Sequence, residues 1–147
     1  MPASCADCNT ASQPVVSAAE IRRELDRSLE KIEAASGKTV RLVRPPYGNA
    51  NQTVRDTIDK PMINWDVDTL DWDSKNPDKI YSRVMNTVRP GSVILMHDIY
   101  GTTADAVERV VPALIEKGYK IVTVSELYDI YGMELQPHKV YYAPWYD

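Results

Sequence analysis

The stretch Val93-Ile94-Leu95-Met96-His97-Asp98 decides the fold of this chain. Its four apolar residues, bounded by Pro90-Gly91 upstream and Gly101 downstream, read as a fully buried strand. His97, one of only two histidines, stands where that strand leaves the core. In α/β proteins the loops at the carboxyl ends of strands carry the chemistry. Histidine titrates near neutrality and suits proton transfer there. A histidine that merely caps a strand and bonds a carbonyl would look the same at this point, so the neighbouring elements have to decide.

Working upstream, Asn76 caps a helix with Pro77 at its first position, and Ile80, Val84 and Val88 form its buried face. Met62-Ile63-Asn64-Trp65 reads as a strand running into the acidic segment Asp66 to Trp72. A brief helix is expected over Asn51 to Ile58, preceded by a short strand, Arg41 to Arg44, halted by Pro45-Pro46. Ser17-Ala18-Ala19-Glu20 is a capping box. Ile21, Leu25, Leu29 and Ile32 then give one apolar helix face that Gly37 closes. Downstream, Thr103 opens a helix with Val107, Val110, Val111, Leu114 and Ile115 inward, Tyr119 to Val124 reads as a strand, and Ser125-Glu126-Leu127 starts a terminal helix. The order α-β-α-β-α-β-α-β-α predicts parallel strands joined by crossover helices. Residues 1–16 read as a loose leader, 17–135 as the domain, and 136–147 as an aromatic tail.

Composition narrows the function. A chain of 147 residues, 44% hydrophobic, can bury one real core. A net charge of −4 without a basic cluster argues against nucleic acid and anionic membrane as partners. No stretch approaches the roughly 20 apolar residues of a membrane span, and the first residues lack the pattern of a signal peptide. Cys5 and Cys8 are spaced C-x-x-C, but no second ligand pair follows and the context is a polar leader. Two unremarkable thiols are expected there.

Three loops after successive strands hold unusual residues. In Arg44-Pro45-Pro46-Tyr47-Gly48 the paired prolines stiffen the backbone and Gly48 permits a sharp turn. That turn can present the Tyr47 amide to an oxyanion, while the Arg44 fork suits a carboxylate; a plain stiff turn would share the pattern. In Asp68-Thr69-Leu70-Asp71-Trp72, an aspartate at a strand end can orient a histidine and the tryptophan can supply a flat apolar wall; a solvated acidic loop is the other reading. Leu95-Met96-His97 is the third.

Together these loops resemble the polysaccharide deacetylases of carbohydrate esterase family 4, the NodB homology domain. R-x-P-Y is matched by Arg44 to Tyr47, D-x-x-D-W by Asp68 to Trp72, and L-x-H by Leu95 to His97. The resemblance spans roughly residues 17 to 135. It implies an α/β fold, a partial, distorted (β/α) barrel with the first strands missing. His97 would be the general acid that protonates the leaving amine of an N-acetyl sugar, and Asp71 would pair with it and favour its charged form. Leu95 and Trp72 would wall the acetyl pocket, with Pro46 and Tyr47 also facing substrate. The Tyr47 amide would bind the oxyanion, and Arg44 would hold the catalytic base.

The family's first two motifs, T-F-D-D-G and H-x-x-x-H, supply that base and the zinc ligands, and neither occurs here. Counting back from Ser17 by the family spacing places the two zinc histidines at Ala6 and Thr10, and His138 lies in the tail. The resemblance therefore implies zinc for the family, no metal ligands in this chain, and no bound metal. It further implies the C-terminal part of an extracellular or cell-wall deacetylase, inactive by itself, with an N-acetylated polysaccharide such as peptidoglycan or chitin as partner. Leu42, Ile63 and Ile94 would be left uncovered and drive self-association. The alternatives are a non-catalytic carbohydrate-binding remnant using Trp72, Tyr47 and Tyr100, and an improvised metal site of Cys5, Cys8 and His97.

Overall fold

The structure is a computed structural model and describes residues 16–146; Cys5 and Cys8 lie outside the described residues. Local signals place the helices. Ser17 accepts a hydrogen bond from the Glu20 amide and opens α1 (Ala18–Ser36), which ends at Gly37 in the left-handed conformation. Asn51 caps α2 (Gln52–Thr57). A single turn, α3 (Asp71–Ser74), lies inside the acidic segment. Asn76 and Pro77 start α4 (Pro77–Thr87). The remaining helices are α5 (Gly101–Glu116) and α6 (Val124–Ile130).

The strands are short. β1 (Met62–Ile63) pairs in parallel with β4 (Val140–Tyr141), and β2 (Val67–Asp68) pairs in parallel with β3 (Ile94–Leu95). The parallel expectation holds. Residues 61–67 form the spine: Ile63 N–H donates to the Val43 carbonyl, Met62 and Asn64 donate to Lys139 and Tyr141, and Asp66 and Val67 donate to Val93. Because alternate amides point to opposite sides of a strand, Val43 and β4 flank the same short segment.

Several expectations are corrected. The strand Arg41–Arg44 contracts to one bridge, Val43 to Met62. Tyr119 to Val124 forms no ladder: Val124 already belongs to α6, and Thr123, rather than Ser125, caps that helix with Glu126 in a reciprocal capping box. The aromatic tail is packed onto the domain through β4 and through Trp145, whose ring lies 3.3 Å from the Arg89 guanidinium. The inward face of α5 is Thr103, Ala106, Val110 and Leu114, while Val107 and Ile115 are exposed. Ile63, expected to be uncovered, is buried against Val93 and Tyr128.

Two apolar clusters stand out in the core of the described residues. Ile63, Val93 and Tyr128 form one; burial pushes the Tyr128 phenol up to about 12. Val84, Val110 and Leu114 form the other, between α4 and α5. Helix α1 contributes no buried residue. Its apolar face instead borders a cavity of about 750 Å³ shared with Leu42, Val43, Val54 and Ile58.

Candidate active site

Strands β2 and β3 run in the same direction, so the chain leaves both at one edge. Their two loops are knitted together there. Thr69, fully buried, donates its hydroxyl to the Leu95 carbonyl at 2.8 Å. The Asp68 carboxylate accepts the Leu70 amide at 2.9 Å, an Asx turn that supports Leu70 at φ 50°. A left-handed leucine is uncommon, and here it swings the next residue, Asp71, inward.

Asp71 is wholly buried and its carboxylate is saturated. Oδ1 meets His97 Nδ1 at 2.8 Å and accepts the Trp72 amide at 3.0 Å. Oδ2 accepts the His97 amide at 2.6 Å and the Thr103 hydroxyl at 2.9 Å. Burial works to raise the carboxyl, but the hydrogen bonds from the His97 side chain, the His97 amide and Thr103 prevail and hold it below its ordinary value. An anionic Asp71 acts only as acceptor, so Nδ1 carries the proton of that bond. The His97 side chain is 37% exposed, which leaves Nε2 as the nitrogen free to meet a ligand. Tyr100 sits edge-on to His97 at 6.3 Å, and Lys75 lies over the Tyr100 ring at 5.5 Å. Trp72, next to Asp71 in the chain, is half exposed, whereas Leu95 is buried at 6% exposure.

The first motif loop lies at the end of the Val43 segment. Pro46–Gly48 forms a 3₁₀ turn with Tyr47 at φ 58° and its ring 87% exposed. Buried Asn64 donates its side-chain amide to the Gly48 carbonyl at 3.0 Å, and Trp65 packs so closely that a Cβ on Gly48 would lie 2.9 Å from it. Arg44 Nε reaches the Ile63 carbonyl at 3.4 Å and its guanidinium lies 6.0 Å from the Trp65 ring. Among the described residues no hydrogen bond, ion pair or ring contact joins Arg44, Pro46 or Tyr47 to Asp71 or His97. Thus the structure joins Asp71 directly to His97, with the Trp72 amide on the same carboxylate, and builds the Arg44–Tyr47 loop as a turn backed by Asn64 and Trp65.

Reading the sequence for motifs missed Thr103 and Asn64. Thr103 reads in the sequence only as a helix opener; its signal is the spacing to Ala106 and Val110. Asn64 is the one polar residue inside the run Met62 to Trp65, and a polar residue in a buried run needs a partner.

Residues 9–61 match the sequence profile of the family described as "Polysaccharide deacetylase". Over 115 residues the chain is 40% identical to peptidoglycan-N-acetylmuramic acid deacetylase PdaC of Bacillus subtilis, covering 78% of this chain and 25% of that protein. Over 123 residues it is 34% identical to peptidoglycan-N-acetylglucosamine deacetylase PgdA of Listeria monocytogenes, covering 84% and 26%. The solved structure of "T48 deacetylase with substrate" superposes with a TM-score of 0.82 at 38% identity, covering 86% of this chain and 63% of that one. The chain belongs to the polysaccharide deacetylase family, carbohydrate esterase family 4. It spans about a quarter of the length of these two relatives.

Membership implies a divalent metal in general. The described residues do not fit one: no three His, Cys, Asp or Glu among them converge where an ion could sit. Asp71 spends both oxygens on four donors, and His138 Nδ1 meets the Arg55 carbonyl at 2.8 Å. Among the described residues no helix is long and apolar enough to cross a membrane.

Proposed function

We propose that this chain is the part of a polysaccharide N-deacetylase that carries the general acid, acting on N-acetylated sugars of the peptidoglycan or chitin type. The observation that carries the reading is the Asp71–His97 pair: a saturated, buried carboxylate holding one imidazole nitrogen while the other faces out. In hydrolysis of an N-acetyl group the C–N bond breaks and the amine nitrogen needs a proton. His97 Nε2 donates it, and Asp71 orients the ring and stabilises the imidazolium form. The Tyr47 amide is assigned to the oxyanion, Trp72, Leu95 and Pro46 to the walls around the acetyl sugar, and Arg44 to the carboxylate of the base.

The described residues supply the acid half only, and no step is assigned to a metal. On this reading the fold is part of a distorted (β/α) barrel, the chain binds its polymer but releases no acetate alone, and the intact protein works at the cell wall. Two assays test it. The purified chain should release no acetate from N-acetylglucosamine oligomers. Mixed with a segment that completes the domain, it should gain acetate release that His97→Ala abolishes. Acetate release that survives His97→Ala contradicts the assignment, and sugar binding with no release in the completed domain favours a carbohydrate-binding module instead.

A further inference from the structure

The carboxylate of Asp71 has four donors, and three of them come from its own turn or from the histidine it serves. The fourth is different. Thr103 lies on the first turn of α5, its amide closing that turn onto the Tyr100 carbonyl at 3.0 Å. Its side chain is 3% exposed and its hydroxyl donates to Oδ2 at 2.9 Å. We propose that Thr103 is a positioning residue for the acid: it locks the Asp71 carboxylate in the rotamer that holds His97 Nδ1–H and so aims Nε2 outward. This rests on the reading of His97 as the general acid and names a further residue that acts through it.

The plane of a carboxylate turns about a broad, soft torsion, so direction comes from its partners. The His97 and Trp72 amides each fix one oxygen from the backbone. Without Thr103, Oδ2 keeps a single partner, and the carboxylate can turn away from the ring. Threonine suits the task because branching at Cβ leaves few side-chain rotamers, and the hydroxyl has a buried anion to address. The hydroxyl also ties α5, which otherwise packs on α4 through Val110 and Leu114, to the strand edge that bears His97.

The test follows the His97 Nδ1 proton by nitrogen-15 NMR, measuring its exchange with water, with His138 as the internal reference. Thr103→Val should speed exchange at His97 by about tenfold or more, the scale set by losing one charge-assisted hydrogen bond, and leave His138 unchanged. Thr103→Ser, which keeps the hydroxyl, should restore slow exchange. Should Thr103→Val not fold, Thr103→Ala carries the same comparison against Thr103→Ser. A folded hydroxyl-free variant with wild-type exchange overturns the inference, as does fast exchange in Thr103→Ser. Asp71→Asn separates the two levels. If it leaves His97 unchanged, the pair itself is absent and the proposed function falls. If it speeds exchange while Thr103→Val does not, only the role of Thr103 falls.

Discussion

The two ends of this molecule are built to different standards. Around β2, β3, α3 and α5 the interior is tighter: Val84, Val110 and Leu114 are at most 2% exposed, and Asp71 has a donor on each available lone pair. Around α1 the same kind of amphipathic helix buries nothing, and its apolar stripe looks into a 750 Å³ space. Contacts at its edge hold it, such as Arg22 to the Thr57 carbonyl and the Arg22–Asp59 ion pair at 3.5 Å. An apolar stripe in a sequence specifies a helix and the face it will bury. It does not supply the surface that face is buried against. The Asp71–His97 pair sits in the tighter half, which is the half suited to holding an imidazole in place.

That contrast can be broken. The largest effect is expected from Asp71→Ala, which strands the His97 amide, the Trp72 amide and the Thr103 hydroxyl in the interior. At roughly 1–3 kcal/mol for each buried group left unpaired, the loss should exceed about 3 kcal/mol, read as a lower urea midpoint. Leu114→Ala should cost about 2–5 kcal/mol, the range for a buried leucine. Leu29→Ala on α1 should cost well under half as much, because its side chain already borders open space. Equal losses for the two leucines would mean that the cavity is closed in solution.

Stability against pH probes the packed half alone. Asp71 is held below its ordinary value near 3.8. Its folded-state value therefore lies below the unfolded one, so it contributes stability at pH above the unfolded value. That contribution is lost as pH falls through the folded value. Denaturation midpoints should drop on acidification below about pH 4, the carboxylate range, and Asp71→Asn should flatten that part of the curve. An unchanged curve in the variant would show that Asp71 is not the group being protonated.

The open half offers a smaller signal. An apolar dye should bind at the α1 cavity, and Leu25→Asn should weaken that binding severalfold while leaving the Asp71–His97 pair intact. Binding unaffected by changes along Ile21, Leu25 and Leu29 would place the exposed surface elsewhere. Least of all, Asn76→Ala should cost about 1 kcal/mol, the usual value of a helix cap, measurable as a small shift of the thermal midpoint.

The same contrast explains what could be read from the sequence. Helices α1, α2 and α4 were legible because their caps are local: Ser17, Asn51 and Asn76 each bond an amide three residues on. The His97 strand was legible because its apolar run has few other uses. Strands at Arg41–Arg44 and Tyr119–Val124 were overread, since a ladder needs a partner and β-rich composition does not provide one. The one-turn α3 was invisible because its limits, Leu70 and Lys75, are left-handed residues that are neither glycine nor asparagine. Of the candidate site, Asp71 and His97 stand out in the sequence by their positions after strands. Thr103 escaped because its role depends on which face of α5 turns inward, a choice made by α4 and not by α5.

On the proposed function, the Asp71–His97 rim is the face that meets the sugar. The most direct measurement is a titration of the isotopically labelled chain with N-acetylglucosamine oligomers, followed at the side chains of both histidines and of Trp72. Saturable shifts are expected at His97 Nε2 and at the Trp72 indole, with His138 still. Shifts confined to His138 or to the tail aromatics, with His97 unmoved at saturating sugar, would contradict it.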